Sequence, residues 1–155
     1  MENLQGNTAE LLNQLVEINN DRIEGYEKAI SLLPNEDSYN LHAIFARYKD
    51  QSVQFNNELK PLVAKEGEIP TDDTRISGKI FRTWMAIKSV VAPYTMKAVL
   101  ESCERGEDEF KKVYQNVLER ISVNNSSYTV IQNQANIQKG AHDHIKELRD
   151  HIKEE

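Results

Sequence analysis

An all-α fold, a bundle of four long helices with a shorter helix in the connection between the second and third, is predicted by three observations. Apolar residues recur at helical spacing along four long stretches. No stretch alternates apolar and polar residues as a half-buried strand does. The 155 residues include only four prolines and six glycines, and 39% are hydrophobic against 28% charged, a balance that suits one soluble core. A single domain over residues 8–155 is expected. Residues 1–7 are expected to be a disordered or vector-derived N-terminus.

The first helix is read from Leu12, Leu15, Val16, Ile23, Tyr26, Ile30 and Leu33, with Asn7 and Glu10 as a capping box and "LLPNEDS" as its end. Asp37 or Ser38 caps the second, whose seam is Leu41, Ile44, Phe45, Tyr48, Phe55, Leu59, Leu62 and Val63. Pro61 is expected to kink it, because proline has no donor for the carbonyl four residues back. After "GEIPTDD", a shorter helix from Thr74 to about Val91 carries Ile80, Phe81, Trp84, Ile87 and Val91. Pro93 then suits the first turn of the third helix, which runs through Met96, Val99, Leu100, Cys103, Phe110, Val113, Tyr114, Val117 and Ile121 to "SVNNSS". The last helix carries Tyr128, Ile131, Ala135, Ile145, Leu148 and Ile152. Two tight antiparallel pairs joined by one long crossover make the arrangement typical of ferritin-like folds.

A net charge of −6 disfavours nucleic acid and anionic membranes as partners. The most apolar segment, "IFRTWMAIKSVVAPYTMKAVL", holds Arg82, Lys88, Lys97 and Pro93, so membrane insertion is not expected. One cysteine excludes an intrachain disulfide framework, and with no signal-type run at the start a cytoplasmic location is expected. Cys103 lies in the third seam beside Glu104 and Glu107, where burial and negative neighbours disfavour a thiolate. Phe81, Trp84 and Met85 read as core filling, with a homodimer contact as the other role open to them. Phosphate-binding glycine loops, zinc-type cysteine spacing and serine-nucleophile motifs are absent from the sequence.

Each apolar seam has one polar gap: Asn19 in the first helix, Gln51 and Ser52 in the second, Gly106 and Glu107 in the third, Gln138 and His142 in the fourth. Counting outward from the turns at equal rise per residue puts the gaps at matching heights, so one polar layer across the bundle is expected. A carboxylate buried there needs a partner, and His142 is the nearest candidate for Glu107. His142 and His144 point to nearly opposite faces and cannot chelate one ion together; His144 and His151 are expected to be solvated.

The stretches "DRIEGYEKA", "ELKPLV", "RTWMAIK", "ESCERGEDEF" and "AHDHIKELRD" resemble a group of small bacterial ferritin-like four-helix-bundle proteins whose shared domain is of unknown function. In the di-iron members of the wider ferritin-like group, two helices each give a Glu and the other two each give Glu-x-x-His. Here the second helix offers Gln51 and Gln54, and the fourth has Lys139 three residues before His142. The metal candidates that the resemblance leaves are Glu24, Glu27, Glu104, Glu107 and His142. Amides are weak ligands, and two cations need more carboxylate charge than this set supplies. The expected function is therefore a non-enzymatic, stress-associated or scaffolding protein with a degraded polar centre and no cofactor, its protein partner unspecified. The alternative is a bundle that binds iron or another divalent metal for oxidase-type chemistry.

Overall fold

The computed structural model describes residues 4–72 and 95–152, with side chains from residue 8 onward. Four helices account for most of them: α1 (Leu4–Leu32), α2 (Leu41–Lys65), α3 (Met96–Arg120) and α4 (Tyr128–His151). No strand occurs among the described residues. The shorter helix expected from Thr74 to Val91, with Phe81, Trp84 and Met85, lies outside the described residues, and so does Pro93.

The helix ends follow local chemistry. α1 begins ahead of the capping box expected at Asn7 and Glu10, so both residues lie inside it. Only Gly6 resists the extension, at a cost of about 1 kcal/mol. Ahead of α2, Asn40 sits at φ 60°, the left-handed region that asparagine tolerates better than most residues. Asp37 reaches over it, accepting from Leu41 N at 2.7 Å and from His42 N at 2.8 Å. These bonds hold the Asp37 carboxyl below its ordinary range despite the opposing effect of desolvation. α2 then continues through Pro61 to Lys65. Thr95 caps α3, its side chain accepting from Ala98 N at 3.0 Å, so the helix starts at Met96. Its end at "SVNNSS" is as expected, with Tyr128 N donating to Asn125 O at 3.0 Å across the turn.

Asp37→Ala is expected to lower stability by about 1 kcal/mol at pH 7, measured by urea unfolding. The folded carboxyl titrates below its unfolded value, so its stabilisation is complete above the unfolded value of about 4 and is lost as pH falls through the folded one. The difference between variant and parent should close over that acid window.

The four helices pack together, α1 against both α2 and α3, and α4 against both α3 and α2. Hydrogen bonds and ion pairs set the register. Asn20 meets Asn56 where Glu27 meets Lys49, and Asn19 meets Tyr114 where Tyr26 meets Glu107. Tyr114 meets Gln134 where Glu104 meets Arg149, and Gln134 meets the Phe55 carbonyl where His144 meets Tyr48. Within each pair, residue numbers rise along one helix as they fall along the other.

The seams become one core, with Leu12, Leu15, Leu41, Phe45, Leu59, Leu100, Phe110 and Ile145 fully buried. In α1 the seam itself is displaced from expectation. Ile23 and Ile30 are only partly buried, whereas Arg22 and Ala29 have no exposure at all. The inward stripe of α1 is Leu15, Asn19, Arg22, Tyr26, Ala29 and Leu33, spaced alternately four and three residues apart as a bundle seam requires.

Candidate functional site

The inward stripe places an arginine at mid-height, where it meets the glutamate that α3 sends into the same layer. Arg22 and Glu107 are both 0% exposed. The guanidinium binds the carboxylate through two bonds, Nε to Oε1 at 3.0 Å and Nη2 to Oε2 at 2.9 Å. This fork is the geometry in which arginine differs from lysine, since two fixed donors match two oxygens. Nη1 donates to Ser52 Oγ at 3.0 Å on α2. Phe110, Tyr26 and Tyr48 surround the guanidinium carbon, with ring centres 5.0, 5.6 and 6.0 Å away.

The carboxylate is equally committed. The Tyr26 hydroxyl donates to Oε2, and Gln138 Nε2, from α4, lies 3.1 Å from both Oε1 and the Glu107 carbonyl. All four helices thus contribute. Burial alone would lower the Arg22 pKa, yet the adjacent Glu107 charge leaves it above the ordinary value. Burial, reinforced by Glu107, pushes both the Tyr26 hydroxyl and the Cys103 thiol well up. Tyr26 therefore serves the carboxylate as a donor, and Cys103 stays a thiol.

A second network, built around neutral side chains, lies one helical turn away. Asn19 Nδ2 donates to the Leu15 carbonyl and to the Tyr114 hydroxyl, each at 2.8 Å. That hydroxyl donates to Gln134 Oε1 at 2.7 Å, and Gln134 Nε2 donates to the Phe55 carbonyl at 3.1 Å and to Glu58 at 2.9 Å. Burial raises the Tyr114 pKa as well. Tyr114→Phe is expected to cost about 1–3 kcal/mol in urea unfolding, because it leaves one buried donor and one buried acceptor unmatched.

The residues expected at the centre do not stay together. Gln138 and Glu107 are in the buried central layer, 1% and 0% exposed, and Asn19, 0% exposed, is in the second network with Tyr114. Gln51 is half-buried, its Oε1 without a hydrogen-bond partner, and its neighbour Ser52 takes the central position. Glu24 and Glu27 are exposed, Glu27 pairing with Lys49 at 3.0 Å. The pairing expected between Glu107 and His142 does not form. His142 faces Asp108, with Nε2 2.6 Å from Oδ1, while Nδ1 lies 3.0 Å from Asp143 Oδ1. Its helix position points it to the edge of the α3–α4 contact, and Gln138, one turn earlier, is the α4 residue that reaches the centre. Glu104 lies at that same edge in a short bond with Arg149. His144, expected to be solvated, is half-buried and bonds the Tyr48 hydroxyl across to α2.

A dinuclear metal centre does not fit this donor set. Among the described residues Glu107 is the one carboxylate that bonds within the central layer, and both of its oxygens are held by a guanidinium that is itself a cation. Two metal ions there would lack bridging carboxylates and would face the positive charge of Arg22. Glu104, Asp108 and His142 form a separate group near the surface, with one ligand atom from each lying within 4.8 Å of the others.

Fold and centre together define a four-helix bundle with an arginine–glutamate pair sealed at mid-height. Residues 7–120 match the family described as "Domain of unknown function (DUF2383)". The chain belongs to that family. No curated protein sequence matches it. The matched span holds Arg22, Tyr26, Ser52 and Glu107, whereas Gln134 and Gln138 come from α4 beyond it. None of its described helices is long and apolar enough to cross a membrane.

Proposed function

We propose that this chain is a bacterial ferritin-like bundle that has exchanged a metal centre for an internal ion pair and works through its surface, as a non-enzymatic scaffolding or stress-associated protein of the cytoplasm. The observation that carries this reading is the sealed pair. A catalytic or metal centre at mid-height needs an open coordination position or a group able to exchange protons with a substrate. The Arg22–Glu107 fork, closed by Tyr26, Ser52 and Gln138, offers neither. The ferritin-like assignment is supported by the register, in which α2 and α3 run in the same sense, as a single long crossover requires. The net charge of −6 supports a protein partner over nucleic acid.

Metal content decides the matter. Protein purified without chelator and then loaded anaerobically with ferrous iron is expected to retain less than about a tenth of an equivalent by mass spectrometry. Retention of one equivalent or more, lost in Glu107→Gln, would overturn the reading. Size-exclusion chromatography should give a monomer or homodimer; a large cage would point instead to storage.

A second reading, a single divalent ion at Glu104, Asp108 and His142, is favoured by the approach of their ligand atoms within 4.8 Å. Arg149 on Glu104 opposes it. Loss of a retained equivalent in His142→Ala but not in Glu107→Gln would establish this reading in place of the first.

A further inference from the structure

Between Lys111–Leu118 of α3 and Gln132–Lys139 of α4 the two helices part over a groove of about 150 Å³. Its lining is unusual for this chain. Aspartate and glutamate make up 25 of the 155 residues, yet among the described residues none lines the groove, which carries two lysines and four side-chain amides. Seven residues of helix separate Lys111 from Leu118, so the groove is about 10 Å long.

Its two ends differ. Opposite running of α3 and α4 brings Lys111 and Lys139 toward one end, where buried Gln138 forms part of the floor. Leu118, Gln115 and Gln132 lie toward the other. Gln132 Nε2 donates to Asn136 Oδ1 at 3.3 Å, so these amides form a line along the α4 wall. Lys139 is held at the rim by Asp143 at 3.0 Å, with its side chain 62% exposed. An arriving anion competes with that exposed pair, whose strength is small in water.

We propose that this groove binds a small organic anion. Its charged oxygen group lies between Lys111 and Lys139, and its uncharged hydrogen-bonding body lies along Gln115, Gln132 and Asn136. The length suits one small molecule. A polyanion reaching beyond the groove would meet a surface that is net negative.

The probes are succinate, its uncharged analogue succinamide, and inorganic phosphate, each titrated while the side-chain amide signals are followed by nitrogen–proton NMR. Succinate is expected to give saturable shifts at Gln115, Gln132, Asn136 and Gln138 that weaken as salt rises. Succinamide should bind at least about tenfold more weakly, and K111Q/K139Q should lose about tenfold in succinate affinity. Thermal unfolding confirms that this doubly substituted protein, changed only at the rim, remains folded. Phosphate should bind no more tightly than succinate and leave Gln115 and Gln132 unshifted. Equal binding of succinate and succinamide, unchanged affinity in the lysine variant, or no shift up to about 10 mM succinate would overturn the proposal. Phosphate that shifts all four amides as succinate does would overturn the assignment of the uncharged body.

Discussion

Arg22→Ala is expected to destabilise the bundle by about 3–5 kcal/mol, seen as a fall in the urea midpoint with little change in slope. The variant keeps Glu107 at a position with no exposure and takes away the guanidinium that pairs with it. Tyr26 and Gln138 still donate, but neither neutralises the charge. The guanidinium also fills space against Phe110 and Tyr48, so a cavity adds to the electrostatic loss. A change below about 1 kcal/mol would show that water reaches the carboxylate and that the centre is not sealed.

Glu107→Gln is expected to cost nearly as much, about 3 kcal/mol, although it alters only one functional group. The carboxylate accepts from Arg22 Nε and Nη2, Tyr26 and Gln138 through two oxygens. A glutamine amide keeps one oxygen and turns an NH₂ group toward the remaining donors. The guanidinium is then buried without a counter-ion. The paired replacement Arg22→Met with Glu107→Leu should recover most of the loss and end within about 1 kcal/mol of the parent or above it, because well-packed apolar side chains often replace a buried ion pair without penalty. A doubly replaced protein several kcal/mol less stable than the parent would mean that the pair is stabilising in its own right.

Much of the architecture was legible in the sequence. The periods of α2, α3 and α4 announced their inward faces, since Phe45, Leu59, Phe110, Val117, Ile131 and Ile145 are all buried as the spacing required. Counting from the turns also brought Glu107 and Gln138 into one layer, as the bond between them requires, but Asn19 belongs to the neighbouring network with Tyr114. The partner of Glu107 was not legible. An arginine is most often exposed, so a stripe drawn through apolar residues passes over Arg22 to Ile23, one position along. The sign that was there is the spacing: Asn19, Arg22 and Tyr26 continue the alternation of four and three from Leu15. His142 was misplaced for a related reason. Equal height does not fix rotation about the helix axis, and on α4 that rotation gives the centre to Gln138 and the edge to His142.

The burial of Cys103 gives the protein a chemical clock. As the one cysteine in the chain, with no exposure and a thiol pushed well above its ordinary pKa, it is silent to alkylating reagents while the seam of α3 stays closed. Every labelling event therefore counts an opening. At low reagent concentration the labelling rate follows the population of opened molecules, and at high concentration it approaches the rate of opening itself.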